Sequence, residues 1–246
     1  MNKTAVVTGT SKGIGEAVAA CLLRNGWKVY GVSRSKPSFT DSTFVWLECD
    51  LAKTDAIAAA LQHVTEPALD LLVSNAGVAF PSWATDVTSE SYGNMYDVNV
   101  LAPMLIVHAL KAKLSHATVI STSSVSDRLL DADYALYCSS KAANTTYFGS
   151  LAAELQDATI ITLLPDYVDT PMLRGLHKDD GFDWSAPLKA GDIASLVANL
   201  ESGKIQVESG ANIIIVNDAL QEDLASTEKL YGFNTDTEQL VKLSHQ

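Results

Sequence analysis

The chain lacks most of what would mark a membrane, metal or nucleic-acid protein. No apolar run reaches the roughly 18 residues that a membrane span needs. Cysteine is scarce: only Cys21, Cys49 and Cys138 occur. Their spacing matches no metal or redox motif and their odd number frames no disulfide set. A reducing cytoplasm is therefore the expected compartment. The five histidines, His63, His108, His116, His177 and His245, are scattered and form no ligand cluster, so no metal is expected. Basic residues are outnumbered, 17 Lys and Arg against 29 Asp and Glu, for a formal net charge of −12. That balance argues against nucleic acid or an anionic membrane as a partner. No repeat, low-complexity tract or linker divides the chain. The opening Met1–Val7 carries one cation but no long apolar region or small-residue cleavage site, and is expected to be a first strand rather than a signal peptide.

What is present fits one large α/β domain spanning residues 1–246. Apolar, β-branched runs predict strands at Ala5–Val7, Lys28–Val32, Thr43–Glu48, Leu69–Val73, Thr118–Thr122, Thr159–Leu164 and Asn212–Val216. Helical patterns fall between them at Glu16–Asn25, Lys53–Val64, Ser89–Leu114, Asp133–Gln156 and Ala190–Leu200, the first closed by Gly26 as a left-handed cap. Pro103 is expected to be accommodated within a continuous helix. The alternation predicts a doubly wound Rossmann architecture, three layers around a seven-stranded, mainly parallel sheet. Met172–Lys189 reads as a loop, and Ala219–Gln246 as a polar tail with two short helices.

The first strand runs into Thr8-Gly9-Thr10-Ser11-Lys12-Gly13-Ile14-Gly15 and then a helix. Glycines in such a turn let the backbone approach a pyrophosphate at the helix N-terminus. An NAD site usually places an acid about 20 residues past the glycines. Here the second strand ends Ser33-Arg34-Ser35-Lys36, and no acid appears before Asp41. Arg34 suits a bidentate contact to a 2′-phosphate, with Lys12 adding charge on the same side. NADP(H) is therefore expected over NAD(H).

Tyr137 and Lys141 stand four residues apart and share one helix face. A phenol with an ordinary pKa near 10 is a poor proton donor at neutral pH unless a cation stabilises its anion, and Lys141 is placed to be that cation. Ser124, upstream, can hydrogen-bond a substrate oxygen. Cys138 is either a reactive thiol or a small spacer on the helix.

In their order and spacing these residues resemble the short-chain dehydrogenase/reductase family from Lys3 to about Val216. Thr8–Gly15 is similar to its nucleotide turn, which implicates Gly9, Ser11, Lys12, Gly13, Ile14 and Gly15, joined by Ser33 and Arg34. Asp50 and Leu51 resemble its adenine contact, and Asn75-Ala76-Gly77 its structural turn after the fourth strand. Asn99, Ser124, Tyr137 and Lys141 resemble its catalytic tetrad. Tyr137 lies thirteen residues after Ser124, the usual family separation, which selects Ser124 over Ser123 and Tyr137 over Tyr134. Pro165, Val168 and Thr170 resemble the turn that holds the nicotinamide carboxamide. Three departures stand out: Ser74 precedes Asn75, Asp166 replaces the usual glycine after Pro165, and Asn217-Asp218-Ala219 replaces Asp-Gly-Gly.

The resemblance implies an NADP(H)-dependent oxidoreductase that interconverts a small-molecule carbonyl and alcohol by hydride transfer. Tyr137 would be the acid in reduction, Ser124 would polarise the substrate oxygen, Lys141 would lower the Tyr137 pKa and bind ribose hydroxyls, and Asn99 would support a water. Alternatives are a non-catalytic NADP-binding sensor on the same fold and an NAD(H)-dependent alcohol dehydrogenase. Relatives imply a homodimer or homotetramer through the two long helices. Met172–Lys189 would form a substrate lid walled by Leu173, Leu176, Phe182 and Trp184.

Overall fold

The computed structural model describes residues 3–129, 131–178, 180–216 and 230–243. Its centre is one sheet of nine strands: β1 (Thr4–Thr8), β2 (Lys28–Ser33), β3 (Phe44–Glu48), β4 (Leu71–Ser74), β5 (Thr118–Thr122), β6 (Thr159–Pro165), β9 (Ala211–Val216), β10 (Leu230–Asn234) and β11 (Gln239–Leu243), in the order β11-β10-β9-β6-β5-β4-β1-β2-β3. Every pairing is parallel except β10 with β11. A small parallel pair, β7 (Val168–Asp169) with β8 (Leu188–Lys189), stands apart.

Both faces of the sheet are buried, which explains why the strands are continuously apolar rather than alternating. On one face Ala5, Val7, Val29, Ile213 and Ile215 pack against α1 (Gly13–Arg24) and α7 (Ala190–Glu201). On the other Val6, Leu72, Val119 and Ile160 meet α2 (Ile57–Leu61), α4 (Ala102–Leu110) and α5 (Ala135–Glu154). The chain builds outward from β1 through β2 to β3, then returns to β4 on the other side of β1. The strand order therefore reverses at β1/β4, and a crevice opens beyond the carboxyl ends of these strands.

The expected seven-stranded parallel sheet is extended to nine strands. The tail supplies β10 and β11 where short helices were expected. Tyr231-Gly-Phe233 and Gln239-Leu-Val241 are short β-type runs around a turn in which the Asn234 Oδ1 accepts from the N–H groups of Asp236 and Thr237 at 2.9 and 3.0 Å. Phe233 is buried against the core on the α1 face, with Tyr231 and Leu240 beside it, and that burial overrides the polar composition. Asn217-Asp218-Ala219 and the rest of the tail, residues 220–229 and 244–246, lie outside the described residues, as do Met1 and Asn2.

The expected helix Ser89–Leu114 is not continuous. It comprises α3 (Ser89–Tyr96), a π-helical turn at Asp97–Leu101 and α4. Pro103 explains the break: it has no N–H to give the carbonyl four residues back, which is that of Asn99. That carbonyl instead accepts from the Asn144 side-chain amide of α5 at 3.1 Å. The expected loop Met172–Lys189 is also partly ordered, opening with α6 (Pro171–Leu176) and closing with β8.

Candidate active site

A cavity of about 400 Å³ fills the crevice at the carboxyl ends of the strands. At one end it is lined by the glycine turn, with Gly9, Ser11, Lys12, Gly13 and Ile14 exposed to it. Gly9 has φ +76°, a left-handed backbone that glycine adopts at no steric cost. Gly15 does not line the cavity. It lies behind the turn, where a Cβ would fall 2.5 Å from the Gly9 carbonyl oxygen, so only glycine lets α1 start this close to β1. The Thr8 hydroxyl accepts from the N–H groups of Asn75 and Ala76, both at 2.9 Å, and the Asn75 amide donates to the Thr8 carbonyl at 3.0 Å. The turns after β1 and β4 are thereby locked together, and Asn75, Ala76 and Gly77 complete this wall.

Ser33 at the end of β2, Arg34 after it, and Asp50 and Leu51 after β3 line the same end. Lys12 and Arg34 are exposed, and neither has an ion-pair or hydrogen-bond partner among the described residues. Lys12 is the N-cap of α1 and provides no side-chain cap, so the first-turn N–H groups of that helix face the cavity without one. Backbone donors at a helix N-terminus, a turn that admits no side chain and two uncommitted cations suit a polyanionic dinucleotide.

The other end is lined by Ser124, Tyr137 and Lys141, three of the four residues expected as a tetrad, with Asn99 behind it. Ser124 follows β5 and opens a tight turn; its Oγ accepts from the Ser126 N–H at 3.1 Å. Tyr137 and Lys141 project from α5. The start of that helix is fixed from outside by Ser82, whose carbonyl and Oγ accept from the N–H groups of Ala135 and Leu136 at 3.0 and 3.1 Å. The Lys141 ammonium lies 5.6 Å from the centroid of the Tyr137 ring and donates to the Thr122 carbonyl at 3.0 Å. Asn99 sits behind the cavity on the π turn. Its Oδ1 accepts from the Val78 N–H at 2.8 Å, and its Nδ2 donates to the Val78 carbonyl at 2.9 Å and to the Ser140 Oγ at 3.0 Å. Gly77 separates it from Lys141: a Cβ there would fall 3.3 Å from the Asn99 Oδ1 and 3.6 Å from the Lys141 Nζ. A π turn inside an α-helix frequently marks a functional site.

The expected lowering of the Tyr137 pKa by Lys141 is not found: the phenol is raised instead. Burial pushes its phenol up to about 12; a hydrogen bond with Ser124 pulls the other way and Cys138 adds a smaller upward push. Burial also lowers the Lys141 ammonium to about 8, against the pull of the Asp127 carboxylate. Near neutral pH the phenol is thus protonated and the lysine still mostly charged.

Pro165, Val168 and Thr170 close the cavity, with Leu173 and Leu176 of α6 beside them. Phe182 and Trp184 do not line it. They meet edge to face with centroids 4.9 Å apart, Phe182 also lying edge to face with Tyr167 and the Arg174 guanidinium lying over the Trp184 ring. Sequence reading missed Asn144, whose Nδ2 holds the Asn99 carbonyl and whose Oδ1 accepts from the Ser121 hydroxyl at 2.7 Å. It lies three residues past Lys141 and seven past Tyr137, on the same helix face, and a polar residue in that register was the available signal. Tyr134, set aside as a tetrad member, lines the cavity all the same.

Residues 3–181 match the family model described as short chain dehydrogenase, and the chain belongs to that family. It is 31% identical over 200 residues to an L-xylulose reductase of Bos taurus, covering 76% of this chain and 78% of the relative. It is 30% identical over 228 residues to a D-erythrulose reductase of Gallus gallus, covering 87% of each. Among solved structures, a short chain dehydrogenase from Burkholderia cenocepacia in complex with NADP superposes with a TM-score of 0.74 at 28% identity, over 86% of this chain and 95% of that one. Among the described residues no helix is long and apolar enough to cross a membrane.

Proposed function

We propose that the protein is an NADP(H)-dependent oxidoreductase that reduces a small aldehyde or ketone to an alcohol. One observation carries the reading: Ser124, Tyr137 and Lys141 line one end of a cavity whose other end pairs a helix N-terminus with the uncommitted Lys12 and Arg34. NADPH would supply the hydride when bound. Its pyrophosphate would lie on the turn of Gly9, Ser11, Gly13 and Ile14, its 2′-phosphate near Arg34 and Lys12, and its adenine beside Asp50 and Leu51. Pro165, Val168 and Thr170 would face the nicotinamide.

The chain's own residues manage the oxygen. Ser124 donates a hydrogen bond to it, and Tyr137 delivers its proton. Burial raises the phenol to about 12 and so opposes release of its proton, while the hydrogen bond with Ser124 favours the anion. The Lys141 ammonium stabilises the phenolate left behind. Asn99 positions the region between Gly77 and Lys141. The names of the two ketose reductases support a neutral small carbonyl substrate. By the same resemblance we place a two-fold interface on α4 and α5; sedimentation at micromolar concentration should give a dimer or tetramer, and a monomer alone would refute this.

The test of the reaction is loss of reduced nicotinamide absorbance from the purified protein with NADPH or NADH and a panel of aldehydes and ketones. Turnover with NADPH, weaker with NADH and strongly reduced in Tyr137→Phe, is expected. Cofactor binding without turnover of any carbonyl would favour a sensor instead.

A further inference from the structure

The cavity is electrically polarised along its length. Lys12 and Arg34 stand at one end with a single carboxylate, Asp50, while Asp131 and Asp166 line the other, beyond the tetrad. Apart from Lys12 and Arg34, the only lysine or arginine among the described lining residues is Lys141, buried and engaged by the Thr122 carbonyl. Two cations near the mouth are committed. Arg174 is held by two hydrogen bonds to the Asp169 carboxylate, at 2.6 and 2.7 Å, and the His177 Nδ1 is 2.6 Å from the Asp180 carboxylate. Lys178 follows His177 but does not line the cavity.

The carboxylates also act on their neighbours. Asp131 is held above the ordinary range by partial burial and by the adjacent Asp133. The phenols of Tyr134 and Tyr167 are raised, first by burial and then by the surrounding aspartates. Between these groups the mouth is apolar, where Leu129, Tyr167 and Met172 all expose side chains to solvent.

Resting on the reductase reading above, we propose that Asp131 and Asp166 make this site select carbonyl compounds that are uncharged or cationic, with an apolar flank, and reject those carrying a carboxylate or phosphate. An anionic substrate entering beside Tyr137 would meet two carboxylates and no available cation among the described lining residues, and its own charge would lose water without a partner. A cationic one would meet the carboxylates and the faces of Tyr134 and Tyr167. Leu129 and Met172 would cover the carbon skeleton in either case. The carboxylates are exposed, so the selection is moderate and weakens as salt screens it.

The experiment uses three matched benzaldehydes, bearing a carboxylate, a trimethylammonium group or a neutral group of similar size. kcat/KM is measured for the wild type, Asp166→Asn, Asp131→Asn and the double variant, and the cation-to-anion ratio is compared between proteins so that intrinsic reactivity cancels. That ratio should fall by about threefold in each single variant and about tenfold in the double, the size of one or two partly screened charge contacts. Wild-type selectivity should shrink as ionic strength rises. Binding of the same compounds to the NADP⁺-loaded proteins is measured by calorimetry alongside. A charge ranking in binding with no turnover would sink the reductase reading and leave the selectivity standing. An unchanged ratio in the double variant, or no binding of any of the three compounds, would overturn the selectivity, even if the neutral aldehyde is reduced.

Discussion

Lys141 separates catalysis from stability within one side chain. Its ammonium is buried and lowered from 10.5 to about 8. At about 1.4 kcal/mol per pKa unit, keeping the charged form in the fold costs on the order of 3 kcal/mol near neutral pH. The hydrogen bond to the Thr122 carbonyl offsets part of this, and removing it costs about 1–2 kcal/mol. Replacing Lys141 with methionine keeps most of the volume and removes the charge, so the variant should be more stable by about 1–2 kcal/mol. For a chain of this size that raises Tm by roughly 2–8 °C. Turnover should fall by at least about 10²-fold, because Tyr137 loses the cation that stabilises its anion.

The pH dependence supplies an independent check. A lysine whose folded pKa is depressed binds fewer protons in the native state than in the unfolded chain between about pH 8 and 10.5, so stability rises with pH across that window; below it the penalty is present in full. The wild type should therefore gain about 1 kcal/mol relative to the methionine variant between pH near 7 and about 9. Tyr137 has the opposite sign and a higher window: its raised phenol is protonated in the fold while the unfolded chain ionises, so stability is lost between about pH 10 and 12. The assay is a pair of thermal melts, with and without the substitution, at both pH values below that range. A variant that melts lower at each pH, or a wild type whose alkaline change matches that of the variant, would refute the argument.

Tyr137→Phe should lower kcat by about 10²–10⁴-fold, while Tyr134→Phe, which changes the pocket wall and not the proton donor, should be much milder in the same assay. Arg34→Ala should raise KM for NADPH about tenfold or more and barely change that for NADH; equal effects would remove Arg34 from the 2′-phosphate. Pro103→Ala restores an N–H within reach of the Asn99 carbonyl, in competition with Asn144. It should cut kcat by about tenfold while leaving the fold intact by circular dichroism, since small misplacements of a catalytic group are expensive. Phe182→Ala and Trp184→Ala should change substrate KM more than cofactor KM if the edge-to-face cluster they form supports α6, and equal changes would assign it to the scaffold.

Much of the fold was legible because its signals are local. The runs Ala5–Val7 and Ile213–Val216 are apolar without alternation, which is what a sheet covered on both faces requires. The glycine turn and the Tyr137–Lys141 spacing are likewise properties of a few adjacent residues. The last two strands were not legible in this way. Their short apolar runs sit among polar residues, and their pairing depends on the edge of β9 and on burial of Phe233 against a core assembled from the rest of the chain. Nor could composition show that Phe182 and Trp184 turn toward Tyr167 and Arg174 and away from the cavity.

The deeper omission concerns how Asn99 is held, and it follows from treating Pro103 as something a helix merely tolerates. A proline in a helix interior costs about 3 kcal/mol or more because it removes one hydrogen bond and crowds the preceding turn. Here the disrupted turn is the one carrying Asn99, and the carbonyl set free is the Asn99 carbonyl. Asn144 meets that carbonyl from the same face of α5 that presents Tyr137 and Lys141, while Ser121 of β5 holds the other end of the Asn144 amide. The break therefore ties the π turn, α5 and β5 together at the tetrad. A uniform helix would have kept the carbonyl within its own ladder and left the buried Asn144 amide without this acceptor, at a cost of about 1–3 kcal/mol. The irregular turn and the polar residue opposite it are thus two halves of one arrangement, separated by 41 positions from Pro103 to Asn144. Neither half signals its purpose until the fold brings them together.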